Sequence, residues 1–277
     1  MKKKKYLTIT ILSLLAFWLY WTNSNITTTN IQIERAEIPT AFDGFKIAHV
    51  SDLHNHQWKD KLINKIKASN PNIIEITGDL VDSSKTDIDI AIDFIERAKK
   101  IAPVYYVTGN HEAWLDDYSA LEQRLEKTNI HMMDNKVEFI EMDGSKIQIV
   151  GVEDPDFQSQ NGQSYIQEEL IKEKIDENIN RDYYNIVLSH RPEVFAAYTR
   201  AKANLILSGH AHGGQFRIPF LNKGLVAPNQ GFFPKYSEGL YSKDSSDMIV
   251  SRGLGNSIIP IRVNNTFELV IVELKTK

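Results

Sequence analysis

The sequence predicts an α/β fold with a mainly parallel interior. Apolar, β-branched runs end in polar or glycine clusters at FKIAHVSD (45–52), NIIEITGD (72–79), PVYYVTGN (103–110), YNIVLSH (184–190) and NLILSGH (204–210). Helix-like stretches lie between them at 60–69, 87–100, 117–128 and 192–200. Strands alternating with helices build parallel sheets, because each crossover must pack back onto the sheet. In 87–100, Ile88, Ile92 and Ile95 fall at helical spacing with charges on the other face.

Residues 137–154 predict a hairpin, with Asp143 and Gly144 at its turn. The C-terminal part is strand-rich at 247–253 and 267–275, and a second sheet packed on the first accommodates it. Hydrophobic content of 42% and charged content of 25% are those of a folded chain. There is no cysteine, which excludes disulfides, thiolate metal sites and a Cys nucleophile.

The N-terminus reads as a membrane element. Lys2, Lys3, Lys4 and Lys5 precede an uncharged apolar run over residues 6–21. Trp18, Tyr20 and Trp21 suit the far interface. The following WTNSN lacks a small-x-small cleavage pattern, so residues 1–24 are expected to stay as a signal-anchor helix. The Lys cluster is expected to place the N-terminus in the cytoplasm and the bulk of the chain outside a cell membrane crossed once. Residues 25–40 continue a polar, Thr/Asn-rich stretch and are expected to form a tether, with the domain proper at 41–277. Four of the 32 basic residues lie in the first 24 positions, which hold no acid. The remainder carries 28 bases against 36 acids, a charge of −8. Nucleic acid is not an expected partner of such a surface.

Metal-binding side-chain types cluster where the predicted strands end. Asp52-Leu53-His54 follows the first run, and Gly78-Asp79-Leu80-Val81-Asp82 the second. Gly109-Asn110-His111-Glu112, Ser189-His190 and Gly209-His210-Ala211-His212-Gly213-Gly214 follow the others. Ligands of open α/β sheets bind beyond the carboxyl ends of strands, so these termini can converge. Singly, each motif is weak. Together they hold five of the eight histidines, a concentration that random placement does not give. Oxygen and imidazole donors without thiolate suit Mn, Zn or Fe.

The ordered blocks D-x-H, G-D-x-x-D, G-N-H-[DE], a lone His and G-H-x-H resemble the signature of the calcineurin-like metallophosphoesterase family. The G-H-A-H-G-G-Q form with an N-terminal membrane segment resembles its YkuE/YaeI/LpxG-like membrane-anchored branch. The resemblance implies a four-layer α-β-β-α sandwich of two mixed sheets and two divalent metal ions. It implies that Asp52, His54 and His212 hold one metal, that Asn110, His190 and His210 hold the other, and that Asp79 bridges them. It gives His111 a catalytic place beside the substrate, and Asp82 and Glu112 the task of orienting the ligands. The implied reaction is hydrolysis of a phosphodiester or pyrophosphate by a hydroxide held between the metals. His111 would stabilise the developing charge or protonate the leaving oxygen. The expected substrate is a phosphorylated small molecule or a lipid-linked one. A noncatalytic scaffold, a cell-wall phosphodiesterase and a nuclease are the alternatives.

Other residues have plainer expectations. His56 reads as a polar loop residue, His49 as core or surface, and His131 as structural. Arg191 either meets a phosphate or makes a surface ion pair. Phe216, Phe220, Phe232, Phe233 and Tyr236 form an aromatic stretch that packs on the second sheet, lines the site's rim or dips into a bilayer. Asp154-Pro155 reads as a turn after the hairpin.

Overall fold

The computed structural model describes residues 2–158, 168–219, 223–256 and 259–277. The chain opens with helix α1 (Lys2–Ser24) and strand β1 (Ile26–Arg35). Next come β2 (Lys46–Val50), α2 (Asp60–Ser69), β3 (Ile73–Thr77), α3 (Ile88–Ala98) and β4 (Val104–Val107). Short helix α4 (Asn110–Ala113), α5 (Tyr118–Glu126) and β5 (His131–Met132) close this half. The second half has β6 (Val137–Met142), β7 (Ser145–Gly151), α6 (Glu168–Asn178), β8 (Tyr184–Leu188), α7 (Phe195–Arg200) and β9 (Leu205–Ser208). Four two-residue strands follow: β10 (Arg217–Ile218), β11 (Lys223–Gly224), β12 (Val226–Ala227) and β13 (Gly231–Phe232). The chain ends with β14 (Gly239–Lys243), β15 (Ser246–Val250) and β16 (Phe267–Thr276).

Two six-stranded sheets result. One has the order β1-β16-β2-β3-β4-β5, and the other β14-β15-β9-β8-β7-β6. Both are mixed. The run β2-β3-β4-β5 is parallel, as is β15-β9-β8-β7, while β16 runs antiparallel to β2 and β6 to β7. The sheets face each other across Ile47, Ile73, Val107, Ile149, Ile186 and Leu207. Helices α2, α3 and α5 cover the outer face of the first sheet through Leu62, Ile66, Phe94, Ile95, Leu121 and Leu125. Helices α6 and α7 cover the other through Ile171, Ile175, Phe195 and Tyr198. This is the expected four-layer sandwich.

The expected helices form for local reasons. Asp87 caps α3 by accepting from the backbone N–H of Asp89 and Ile90, and Ala91, Phe94, Ile95 and Ala98 make its buried stripe. Asp117 caps α5 in the same way. The hairpin turns at Asp143-Gly144 as expected. Helix α6 is an addition to the expected elements. Only Ile171 and Ile175 are buried on it, a stripe too narrow to stand out among charges.

Residues 25–40 are a correction. They do not form a tether: β1 pairs with β16 over ten consecutive positions, from Ile26 opposite Phe267 to Arg35 opposite Thr276. Threonine is β-branched and suits a pleated, half-solvated edge strand, so a polar composition does not exclude a strand here. Ile26, Ile33, Ile38 and Phe42 are buried, and the fold begins immediately after α1. Strand β16 likewise enters the first sheet, between β1 and β2, while β15 joins the second.

One buried acid has no counterpart in this scheme. Glu75 of β3 is fully buried between the sheets, and among the described residues neither carboxyl oxygen has a hydrogen-bond partner. Burial pushes its carboxyl up to about 8. The folded chain therefore keeps a proton that the unfolded chain releases. Stability is full below the ordinary glutamate range and falls as pH rises from there toward 8, by roughly 1.4 kcal/mol per unit. Glu75→Gln is expected to melt higher than the parent at pH 8, with the gap closing at pH 5, as thermal unfolding at both pH values would show.

Candidate metal centre

All seven residues expected to bind metal lie in one buried cluster at the strand ends. Asp52 and His54 leave β2, Asp79 leaves β3, Asn110 opens α4 after β4, His190 follows β8, and His210 and His212 follow β9. The exits are sharp. Asp52, His54, Asp79, His210 and His212 all have positive φ, between 46° and 64°. Non-glycine residues in that region are strained, on the order of 1 kcal/mol or more each. Glycines permit the close approach that follows. A Cβ on Gly209 would overlap Ser51 Oγ and Asp52 Oδ2, and one on Gly109 would overlap Asp79.

The side chains form two groups that share Asp79. In the first, His54 Nε2 lies 3.2 Å from His212 Nε2, 3.5 Å from Asp79 Oδ2 and 4.0 Å from Asp52 Oδ1. His212 Nε2 is 3.4 Å from Asp52 Oδ1. In the second, His190 Nε2 lies 3.2 Å from Asp79 Oδ2, 3.1 Å from Asn110 Oδ1 and 3.2 Å from His210 Nδ1. Donors bound ~2.0–2.2 Å from one cation stand roughly 3.0–3.5 Å apart, so these separations fit ligands of a common ion. Each group can hold a metal ion, and Asp79 can serve both. The tautomer of His190 also fits: its Nδ1 donates to the Thr77 carbonyl at 2.7 Å, which turns Nε2 toward the centre.

Charges within the cluster compensate each other. Burial works against an ionised Asp79, but His190 and the other imidazoles outweigh it and hold the carboxyl well below its ordinary value. His190 is raised in turn to about 10, burial being overcome by Asp79. A cation taken up by these donors displaces that proton. Burial pushes His54 down to about 3, leaving it neutral.

Hydrogen bonds from Glu112 and Asp52 cross-link the strand exits around the cluster. Glu112 accepts from the backbone N–H of Asp79 (2.8 Å), Gly109 (2.7 Å) and Val81 (3.1 Å), tying the end of β3 to that of β4. Asp52 accepts from His210 N at 3.0 Å, tying the end of β2 to that of β9. Asp82 lies 3.8 Å from His54 Nδ1 and is itself fixed by Ser84 N and Oγ. His111 donates its backbone N–H to Asp79 Oδ1 at 2.8 Å, and its ring packs edge-on to His54 at 4.4 Å. The backbone N–H of Ser83 donates to His111 Nδ1 at 3.1 Å. The proton of a neutral His111 ring therefore sits on Nε2.

Several supporting residues escape a reading of the sequence. Arg191 is neither at the surface nor placed for a phosphate: it is buried, with Nε and Nη2 on Asp154 at 2.6 and 2.7 Å and Nη2 3.0 Å from Asp156. Its Nη1 lies 3.2 Å from His210 Nε2. Asp154, expected only in a turn, is thus the anchor of this pair. Asn229 also meets His210 Nε2, at 3.2 Å. Buried Arg262 lies 3.3 Å from His212 Nδ1, donates to the carbonyls of Arg252 and Gly255, and stacks over Phe267. Arg262 stands in no motif, so nothing in the sequence marks it. His49 is buried against Thr77, His56 packs on Trp58 and Phe267, and His131 stacks on Tyr105. Of the aromatic stretch, Phe232 and Phe233 are exposed, Phe216 and Tyr236 are half-buried, and Phe220 lies outside the described residues.

Two adjacent groups of donors that could each hold a cation and that share one carboxylate, at the strand ends of a two-sheet sandwich, are the arrangement of a metal-dependent hydrolase, here a phosphoesterase by its family. The chain belongs to the calcineurin-like phosphoesterase family, whose profile matches residues 45–214, more than half of its length. It is 29% identical over 264 residues to the uncharacterized metallophosphoesterase YkuE of Bacillus subtilis, covering 91% of this chain and 86% of that one. It is 28% identical over 258 residues to the transmembrane protein with metallophosphoesterase domain of Bos taurus, covering 88% of this chain and 55% of that protein, about half its length. Among solved structures, TT1561 of Thermus thermophilus has the same fold, with a TM-score of 0.51 at 13% identity over 76% of this chain and 90% of that one.

Two substitutions probe the supports. Asp154→Ala leaves Arg191 buried without its main partner, and is expected to cost about 3–5 kcal/mol in urea unfolding. Gly209→Ala is expected to displace Asp52 or His210 and to lower metal affinity about 10–100-fold, read by competition with a chelating dye.

Proposed function

We propose that the protein hydrolyses a phosphodiester or pyrophosphate at the outer side of a membrane, with Asp52, His54 and His212 holding one divalent cation, Asn110, His190 and His210 the other, and Asp79 between them. One observation carries this reading: Asp79 Oδ2 lies 3.5 Å from His54 Nε2 and 3.2 Å from His190 Nε2, so a single carboxylate faces both groups. Two such cations, when bound, lower the pKa of a shared water and clamp phosphoryl oxygens. Mn, Zn or Fe fits the nitrogen and oxygen donors equally.

The chain's own residues supply the rest. Glu112 and Asp52 keep the strand exits together, so the donors need little reorganisation. Ser83 leaves the proton of a neutral His111 ring on Nε2, from which it can donate a hydrogen bond to a phosphoryl or leaving oxygen and stabilise the charge that develops there. Helix α1 is long and apolar enough to cross a bilayer, and most of its apolar side chains are exposed. Its Lys-rich start supports a cytoplasmic N-terminus with the sandwich on the other side. A phosphorylated small molecule or a lipid-linked one is then the substrate within reach.

Chelated protein, restored with Mn²⁺ or Zn²⁺, is expected to regain hydrolysis of bis-aryl phosphate, with aryl monophosphate and a lipid-linked pyrophosphate compared beside it. His111→Ala should lose about 10²–10⁴-fold in kcat while keeping both metals by elemental analysis. Asp79→Asn should lose metal as well as turnover. Full activity in either variant would overturn the assignment.

A further inference from the structure

The end of α1 is joined to the metal centre through one side chain. The Asn23 amide donates to the Arg262 carbonyl at 2.8 Å and accepts from the Arg262 N–H at 2.8 Å. The Arg262 guanidinium in turn lies 3.3 Å from His212 Nδ1. Lys61 Nζ reaches the Ser24 carbonyl, which fixes the last turn from the other side. Only Asn25 separates α1 from β1, and β1 is paired along its whole length, so the helix has no slack with which to swing away.

This docking sets the height of the site above the bilayer. Tyr20 and Trp21 are exposed at the end of α1, where aromatic rings sit at headgroup level. Asn23 is within a turn of them, and it grips the segment at Arg262. That segment exposes Ile259 and Ile261, and the Gln215 side chain, three residues past His212, donates to both their carbonyls at 2.8 and 2.7 Å. The adjoining hairpin of β12 and β13 exposes Phe232 (76%) and Phe233 (60%). It is tied to the same rim: Phe233 N donates to Leu225 O, Leu225 N to Gly214 O, and Phe216 bridges to Val263. The tip of this hairpin brings Asn229 onto His210.

We propose that Ile259, Ile261, Phe232 and Phe233 form a lipid-binding rim that rests in the bilayer interface, so that the metal centre opens at a fixed height directly over the membrane surface. The occupant is the lipid surface itself, because the segment that carries Ile259 and Ile261 is tied to the end of α1 through Asn23 and Arg262. Rings and branched aliphatic groups beside a membrane helix gain from burial at the headgroup boundary, whereas a soluble domain on a loose stalk would gain nothing from exposing them. The proposal rests on reading α1 as a membrane helix.

Because the chain has no cysteine, single labels can be placed directly. The full-length protein with Mn²⁺ would be reconstituted in phosphatidylcholine–phosphatidylglycerol vesicles as Phe232→Cys, Ile261→Cys and Glu141→Cys, each carrying a nitroxide. Glu141 is exposed beside the β6–β7 turn, at the opposite end of the parallel strands from the metal centre. Collision with dissolved oxygen is compared with collision with a water-soluble nickel chelate, and circular dichroism confirms the fold of each variant. The oxygen-to-nickel ratio is expected to be about fivefold higher at 232 and 261 than at 141. Equal ratios at the three positions would overturn the rim. Carbonate extraction of the unlabelled chain tests the anchor separately, and hydrolysis of bis-aryl phosphate tests the chemistry. A chain that stays in the membrane and turns over substrate while all three labels meet water sinks this proposal alone.

Discussion

The Asp79 carboxylate, buried and facing imidazoles on both sides, is the constraint around which the domain is arranged. One oxygen serves His54 and His190, and the other accepts the His111 backbone N–H. Burying an anion is costly unless charge and hydrogen bonds surround it. Satisfying Asp79 therefore draws together the ends of β2, β3, β4, β8 and β9, which come from both sheets. Glu112 and Asp52 reinforce that convergence with backbone hydrogen bonds from neighbouring exits. The positive φ values at five of the seven donor positions show how tightly the chain must turn to bring them in.

Around this centre, buried arginines back the histidines of the cluster. Arg191, locked on Asp154 and Asp156, backs His210, while Arg262, locked on three oxygen atoms, backs His212. Two buried guanidiniums thus flank the two histidines of one H-x-H motif. Their environments differ. Acidic partners outweigh burial at Arg191 and raise its affinity for its proton, whereas burial among neutral acceptors pushes Arg262 down to about 9. Arg262 is also where α1 meets the sandwich, so the N-terminal helix and the centre share a residue.

The N-terminal strand changes how the molecule is to be pictured. With β1 at the edge of the first sheet and β16 beside it, the two ends of the chain close that sheet together. The sandwich is built onto α1 rather than suspended from it. Ten paired positions oppose any motion of one against the other.

The sequence by itself determined the α/β class, helices α2, α3 and α5, the hairpin at Asp143-Gly144, the apolar N-terminal helix and which seven side chains gather at the strand ends. These features are local: a periodic stripe, a capping Asp, a glycine before a donor, a donor at the end of an apolar run. Only the tertiary structure decided that residues 26–35 are a strand, because their partner lies 241 positions away and a short polar stretch reads alike as an exposed edge strand or as a tether. It also decided the roles of Arg262, Asn229 and Asn23. Their meaning arises from contacts separated by as many as 239 residues, and hydrogen bonds across such separations leave no periodicity in a linear chain.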